Sequence, residues 1–190
     1  MRIVGGTLRG LKLAEVGAGD AQAHLRPTSD RVREAMFNLL QNGRGGNPVP
    51  GARVLDLFAG TGALGIEALS RGAARVAFVE DGAPARALIR RNIELARAQG
   101  VTDLWRRDAT RLGENRGAPY TLLFLDPPYG KALGEAAIAS ALAGGWLAPG
   151  AVVVWEDSAP PRLPAPLVPL DQRRYGETTV TLARLDPPAV

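Results

Sequence analysis

The chain has 190 residues, 46% of them hydrophobic, which is enough apolar sequence for the core of one α/β domain. The absence of cysteine excludes disulfides, thiolate metal sites and a thiol nucleophile. One histidine, His24, cannot build a histidine-rich metal site, and we expect no metal. No signal peptide precedes the first strand-like residues, and no run of about 18 apolar residues occurs, so we expect a cytoplasmic protein without membrane association.

The basic residues of the chain are almost all arginine rather than lysine. The formal net charge is only +4, yet 21 of the 23 basic residues are arginine. Arginine binds phosphates and stacks on bases, so this bias suits a nucleic-acid partner, although a GC-rich or heat-adapted genome explains the overall bias equally well. Residues 1–45 carry seven basic side chains against four acidic ones, and this local excess favours the nucleic-acid interpretation.

The first 47 residues are predicted to form an extension to the main domain. Residues 2–7 and 10–14 have the glycine-rich pattern of a β-hairpin, and residues 17–20 indicate a flexible tip. A following helix, capped by Thr28, Ser29 or Asp30, has an apolar stripe formed by Val32, Met36, Leu39 and Leu40. Because residues 42–48 are rich in glycine and asparagine, we place the boundary there and the main domain at residues 48–190.

From Arg53 onward, predicted strands and helices alternate. The strands are predicted at residues 54–58, 75–80, 101–106, 121–126, 151–156, 167–170 and 177–185, and the helices at residues 63–70, 84–99 and 133–143. This alternation predicts a doubly wound, mostly parallel, seven-stranded sheet that binds ligands at the carboxyl ends of its strands. Asp56, Glu80, Asp108 and Asp126 fall at such ends, which indicates a site, although helix capping would explain any one of them.

A glycine-rich turn follows the first strand of the main domain. Gly60, Gly62 and Gly65 form a G-x-G-x-x-G pattern between strand and helix, and Glu80 ends the next strand, as in a dinucleotide site. Asp56, just ahead of the turn, argues against that ligand because a carboxylate repels a pyrophosphate. The same charge favours S-adenosylmethionine, which carries an ammonium, a sulfonium and a ribose but no phosphate.

The sequence Asp126-Pro127-Pro128-Tyr129-Gly130 follows the apolar run of residues 122–125. The prolines end the strand, and both the Asp126 carboxylate and the Pro127 carbonyl can accept hydrogen bonds at one point. Two acceptors suit the NH2 group of an exocyclic base amine, and Tyr129 can stack on the base. A simple Asp-Pro turn is the alternative interpretation of this motif.

Together, these motifs resemble the class I S-adenosylmethionine-dependent amino-methyltransferases. The N-terminal string Arg2-Ile3-Val4-Gly5-Gly6, with Arg9-Gly10, then residues 25–34 and Arg174-Tyr175-Gly176-Glu177-Thr178, are similar to the bacterial 16S ribosomal RNA guanine-N2 methyltransferases. The resemblance covers nearly the whole chain. It implies a Rossmann-like fold and a methyl transfer from S-adenosylmethionine to the N2 amine of a guanine.

The resemblance also implies roles for particular residues. The expected cofactor site consists of Asp56, Phe58, Ala59, Gly60, Thr61, Gly62, Glu80, Asp81, Asp108 and Ala109. Within it, Asp56 and the glycine turn would hold the methionine part, Glu80 the ribose, and Asp108 with Ala109 the adenine edge. The expected catalytic residues are Asp126, Pro127, Pro128 and Tyr129.

The expected partner is 16S ribosomal RNA or the assembling small ribosomal subunit. We expect the protein to be a monomer. The basic residues of the extension are expected to contact phosphates: Arg2, Arg9, Lys12, Arg26, Arg31 and Arg33. A lid over the cofactor is the alternative for Arg26 and Thr28. An adenine-N6 or cytosine-N4 methyltransferase and a non-catalytic RNA-binding assembly factor remain alternatives, because the catalytic motif alone does not select the base.

Overall fold

The computed structural model describes residues 1–15, 29–43, 45–129 and 131–186. The four α-helices of these ranges are α1 (Asp30–Asn42), α2 (Ala63–Ser70), α3 (Ala83–Leu95) and α4 (Leu133–Ala143). The strands are β1 (Arg53–Leu57), β2 (Arg75–Val79), β3 (Thr102–Trp105), β4 (Tyr120–Leu125), β5 (Leu147–Asp157), β6 (Leu167–Tyr175) and β7 (Thr178–Leu185). Short 3₁₀ turns lie at Gln99–Val101 and Ala109–Arg111.

The seven strands form one sheet in the order β3-β2-β1-β4-β5-β7-β6. Strands β1 to β5 are parallel, whereas β7 runs antiparallel to both β5 and β6. The chain winds outward from β1 through β2 to β3, then returns to start β4 on the other side of β1. The predicted doubly wound sheet is therefore confirmed, and the switch of direction between β1 and β4 is where such sheets bind ligands.

The central strands are buried on both faces. Alternate residues of β1 and β4, such as Val54 and Phe124, pack on one side against α1, α2 and α3. Their neighbours, such as Leu55 and Leu125, pack on the other side against α4. Because both faces are covered, β4 has a continuous apolar run and β1 is interrupted only by Asp56, and this is why the sequence located them.

The N-terminal residues pack against α2 through hydrogen bonds. The predicted hairpin is reduced to a single antiparallel bridge between Arg2 and Lys12. The backbone N–H groups of Val4 and Gly5 donate to the buried Glu67 carboxylate at 2.9 and 2.8 Å. Ile3 lies in the same hydrophobic cluster as β1 and β2, so the extension shares the core of the main domain.

Helix α1 begins after Ser29, whose side chain accepts a hydrogen bond from the Val32 N–H at 3.2 Å. Its fully buried apolar face consists of Met36, Phe37 and Leu40, so Phe37 replaces the half-buried Val32 and Leu39 of the predicted stripe. Asp30 is the first helical residue rather than the cap. Thr28, Arg26, the predicted tip at residues 17–20 and Gly130 lie outside the described residues.

Strand β6 is longer than predicted, because it continues past Leu170 to Tyr175 and forms a hairpin with β7. This hairpin reaches the carboxyl end of β5. Among the described residues, no helix is long and apolar enough to cross a membrane. In the same part of the chain, no group of three histidine, aspartate or glutamate side chains is arranged to hold a metal ion.

Candidate active site

A cavity of about 720 Å³ opens at the carboxyl ends of β1, β2, β4 and β5. It lies at the switch point of the sheet, between the glycine turn after β1 and the proline turn after β4. The residues that line it are Ser29, Val32, Asp56, Phe58, Ala59, Gly60, Thr61, Ala63, Leu64, Glu80, Asp81, Gly82, Pro84, Ala85, Asp126, Pro127, Pro128, Tyr129, Glu156, Tyr175, Glu177 and Thr178. The structure thus brings both predicted motifs into one cavity.

The glycine turn has a left-handed backbone at several positions. Gly60 and Gly62 have φ values of 57° and 77°, and Phe58 has the same kind of conformation at 57°, which is unfavourable for a side chain with a Cβ atom. Gly65 serves a different purpose: a Cβ atom there would overlap the Phe78 ring of β2. Helix α2 can therefore approach the sheet closely only with glycine at this position.

Asp56 is a buried carboxylate beneath the glycine turn, with 1% of its surface exposed. One of its oxygens accepts a hydrogen bond at 3.0 Å from the Gly65 N–H in the first turn of α2. Burial raises the pKa of Asp56 well above its usual range, and the nearby Glu80 carboxylate raises it further. A cation in the cavity would stabilise the ionised form of this carboxyl group.

Glu80 connects the loops that follow β1 and β2. Its two oxygens accept hydrogen bonds from the Gly60 N–H at 2.9 Å and from the Gly82 N–H at 2.8 Å. Burial raises the pKa of Glu80, and the two backbone hydrogen bonds oppose that shift. Arg86 donates to the backbone carbonyl groups of Glu80 and Asp81, which fixes the start of α3 beside the cavity.

Tyr129 is held by its hydroxyl group. The hydroxyl donates to Glu156 Oε1 at 3.3 Å and lies 3.4 Å from Thr178 Oγ1. Burial raises the pKa of Tyr129 to about 12, and the Glu156 and Asp126 carboxylates contribute to the rise. The Tyr129 hydroxyl is therefore protonated at ordinary pH. Its contacts hold the side chain where the turn after β4 meets the end of β5 and the start of β7.

Several lining residues were not predicted from the sequence. Glu156 lies one residue before the end of β5, next to β4, so it could have been counted as a further acid at the rim. Tyr175, Glu177 and Thr178 come from the β6–β7 hairpin, and only the antiparallel return of β7 beside β5 brings them to the cavity. Ser29 and Val32 come from the start of α1.

Three predicted cofactor residues are not among the described residues that line the cavity: Gly62, Asp108 and Ala109. The Asp108 carboxylate instead caps the 3₁₀ turn at Ala109–Arg111, accepting from the Thr110 N–H at 2.8 Å and the Thr110 hydroxyl at 2.7 Å. These bonds lower the pKa of Asp108. Ala109 is buried in the core against α4. The capping alternative therefore fits the position of Asp108.

The predicted RNA contacts divide into exposed and buried residues. Arg2, Arg9, Lys12 and Arg31 are exposed, as phosphate contacts require. Arg33 is fully buried, and its guanidinium group pairs with Glu67 at 3.4 Å and Asp30 at 2.9 Å. The predicted phosphate contact of Arg33 is thus corrected: its guanidinium has no exposed surface and compensates a buried carboxylate instead.

Several solved structures have a similar overall fold. A structure from Escherichia coli has a TM-score of 0.81 and 33% identity, and the alignment covers 98% of each chain. An RNA methyltransferase from Salinibacter ruber, solved in complex with S-adenosyl-L-homocysteine, has a TM-score of 0.64 at 18% identity, and the alignment covers 86% of this chain and 96% of that one. The chain has the class I methyltransferase fold.

The sequence narrows this class to one family. Residues 1–184 match the family model described as Conserved hypothetical protein 95, and the chain belongs to that family. Ribosomal RNA small subunit methyltransferase D of Escherichia coli (strain K12) is 39% identical over 165 residues, which cover 86% of this chain and 78% of the relative. The protein of the same name from Haemophilus influenzae is 33% identical over 160 residues, with 82% and 78% coverage.

Proposed function

We propose that this protein transfers a methyl group from S-adenosylmethionine to the exocyclic N2 amine of a guanine in 16S ribosomal RNA. One observation carries the proposal: the acids around the glycine turn and the Asp-Pro-Pro-Tyr turn face one cavity. A methyl donor and a base amine held in one cavity can react in line, so positioning and electrostatics supply most of the catalysis.

The cofactor half of the cavity suits S-adenosylmethionine. Its sulfonium supplies an activated methyl group, and its positive charges match the buried carboxylate of Asp56 and the half-buried carboxylate of Glu80. Glu80 accepts only two backbone hydrogen bonds among those described above, and a carboxylate has about four acceptor positions, so it can also accept from ribose hydroxyls. The turn from Phe58 to Thr61 would surround the methionine part.

The base half of the cavity suits an exocyclic amine. The Asp126 carboxylate and the Pro127 carbonyl would accept the two hydrogens of the amine, and the Tyr129 ring would stack on the base for about 1–3 kcal/mol. Gripping both hydrogens helps to localise the nitrogen lone pair that attacks the methyl group. An unstacked base in an RNA loop would avoid most of the few kcal/mol that base flipping costs.

The choice of ribosomal RNA is supported by the relatives, which are named ribosomal RNA small subunit methyltransferases. The choice of guanine is supported by the resemblance of the N-terminal string. Exposed Arg2, Arg9, Lys12 and Arg31 would bind RNA phosphates, together with Arg26. Ribosome assembly would place the protein in the cytoplasm.

The proposal is tested by methyl transfer to small ribosomal subunits that lack the modification. We expect label from S-adenosylmethionine to enter 16S ribosomal RNA, and digestion to nucleosides to yield N2-methylguanosine. N6-methyladenosine or N4-methylcytidine would instead identify one of the alternative amino-methyltransferases. RNA binding without any transfer of label would identify an assembly factor.

A further inference from the structure

Glu156 is a carboxylate in the base half of the cavity to which the proposed reaction assigns no role. It lies near the end of β5, lines the cavity and is only 4% exposed. Leu125 of β4 pairs with Trp155 of β5 in the parallel register, and Asp126 and Glu156 directly follow the two members of this pair in the sequence. Asp126, Pro127 and Glu156 all line the cavity, and beyond the effect of burial the carboxylates of Glu156 and Asp126 both raise the pKa of Tyr129.

The side chain of Glu156 is held by Tyr129. The Tyr129 hydroxyl donates to Glu156 Oε1 at 3.3 Å, and Thr178 of the neighbouring strand lies within 3.4 Å of the same hydroxyl. A carboxylate has two oxygens and about four acceptor positions, so Glu156 can accept from a base in addition to its contacts within the protein. The residue that would stack on the base thus also holds an acceptor at the edge of that base.

The edges of the three candidate bases differ beside the amine. In guanine, the ring atom N1 next to the N2 amine carries a hydrogen and is a donor. In adenine and cytosine, the ring nitrogen next to the amine has a lone pair and no hydrogen. A carboxylate beside the amine-binding pair of acceptors would therefore attract guanine and repel the other two bases.

We propose that Glu156 selects guanine by accepting a hydrogen bond from N1–H while Asp126 and the Pro127 carbonyl bind the N2 amine. This inference rests on the proposed function, because it assumes that the base amine lies at Asp126. It also supplies a physical reason for guanine that does not depend on the N-terminal string. Glu156 is in this view a specificity-determining residue, and Tyr129 positions it.

The test uses two bases that share the 2-amine. Small-subunit RNA is joined by splinted ligation so that the methylated nucleotide carries either guanine or 2-aminopurine, whose N1 is an acceptor. We expect wild type to prefer guanine by about 100-fold or more in kcat/KM, because the Glu156 carboxylate can accept from N1–H of guanine but faces a lone pair at N1 of 2-aminopurine. Glu156→Gln should lower the ratio of kcat/KM for guanine to kcat/KM for 2-aminopurine by at least about tenfold, since the new amide can donate to N1 of 2-aminopurine.

Controls separate base selection from general damage. The side chain introduced by Glu156→Gln still has an oxygen that can accept from Tyr129, and calorimetry with S-adenosylmethionine checks that the variant keeps its fold. Glu177→Gln makes the same chemical change at an exposed carboxylate of the same cavity, and it should leave the base preference unchanged. 2-Aminopurine also lacks the O6 atom of guanine. This difference affects wild type and both variants alike, so it cancels when their base preferences are compared.

The outcomes distinguish this inference from the proposed function. Wild type that does not methylate guanine in this RNA would overturn both. Wild type that methylates guanine yet accepts 2-aminopurine within about threefold would overturn only the role of Glu156, and this measurement needs no variant. A folded Glu156→Gln enzyme with the wild-type preference for guanine would also overturn the role of Glu156. Loss of a merely structural contact would lower the rates with guanine and with 2-aminopurine by the same factor.

Discussion

The hydroxyl of Tyr129 donates to Glu156 Oε1 at 3.3 Å, which links the proline turn after β4 to the end of β5. The ring of Tyr129 and the carboxylate of Glu156 are thus positioned by one hydrogen bond. Stacking needs the ring and not the hydroxyl, whereas the orientation of Glu156 needs the hydroxyl. The two contributions can be separated by substitution.

We expect Tyr129→Phe to lower methyl transfer by about tenfold and Tyr129→Ala by at least about 100-fold, because only the alanine variant loses the stacking face. Single-turnover rates at saturating S-adenosylmethionine provide the measurement. Because the pKa of Tyr129 is raised to about 12, the hydroxyl stays protonated below pH 10, so the ratio of wild-type to Phe rates should not change between pH 6 and pH 9. A Phe variant as slow as the Ala variant would contradict the stacking role.

The carboxylates of Asp56 and Glu80 near the glycine turn predict a pH-dependent cofactor affinity. The pKa values of Asp56 and Glu80 are raised in the protein, and a bound sulfonium would lower them by favouring the charged forms. Binding should then release protons, and affinity should increase as the pH rises above the usual carboxyl range of about 4. Calorimetry in buffers of different ionisation enthalpy measures this release.

Asp56→Asn keeps an oxygen that can accept from the Gly65 N–H, so it is the matched variant for this test. We expect it to weaken S-adenosylmethionine binding by at least about tenfold and to reduce the proton release. Glu80→Ala should also weaken binding, because it removes the proposed ribose acceptor. Equal affinity for wild type and both variants would contradict the assigned cofactor site, and a preference for NADH would favour the dinucleotide interpretation.

The sequence located most of the fold because the central strands are buried on both faces. Residues 54–57 and 122–125 are apolar or nearly so, and such runs between glycine and proline turns are typical of parallel strands. The pairing of β7 with β5 has no such local signal, since it depends on the direction in which the chain returns. Tyr175 and Thr178 were therefore missed as cavity residues.

Burial of a charge is also hard to predict from local sequence. Arg33 has the sequence neighbours of a surface residue, and its burial depends on Glu67, which lies in the otherwise apolar helix α2. A lone glutamate within an apolar helix was the available signal for a buried ion pair. Asp108 shows the opposite difficulty, because its position after a strand suits a ligand and a cap equally, and only the Thr110 contacts favour the cap.

The buried ion pair predicts that Arg33 contributes to stability. We expect Arg33→Met to lower the free energy of unfolding by about 3–5 kcal/mol, because Glu67 would remain buried with less compensation. Urea unfolding followed by circular dichroism measures this change. Arg31→Met, in the same helix but exposed, is the control and should change it by less than about 0.5 kcal/mol. Similar small effects for both variants would contradict the structural role.

The exposed basic residues of the extension predict a salt-dependent contact with RNA. We expect Arg9→Gln and Arg31→Gln each to weaken binding to small-subunit RNA and to reduce the slope of log affinity against log salt by roughly 0.7–0.9 per lost phosphate contact. Affinity for S-adenosylmethionine should stay unchanged, because neither residue lines the cavity. Lost cofactor binding with intact RNA binding would indicate that the extension covers the cofactor instead.

The role of Asp126 is the most direct test of the chemistry. The Pro127 carbonyl cannot be removed by substitution, so Asp126 is the only one of the two proposed amine acceptors that can be changed through its side chain. We expect Asp126→Ala to lower methyl transfer by at least about 1000-fold, or about 4 kcal/mol in the barrier, because the amine would lose the acceptor that orients its lone pair. Asp126→Asn should be milder, since its amide oxygen can still accept one hydrogen bond. Binding of S-adenosylmethionine should persist in both variants, as measured by calorimetry, and near wild-type methyl transfer by Asp126→Ala would show that the motif acts only as a turn.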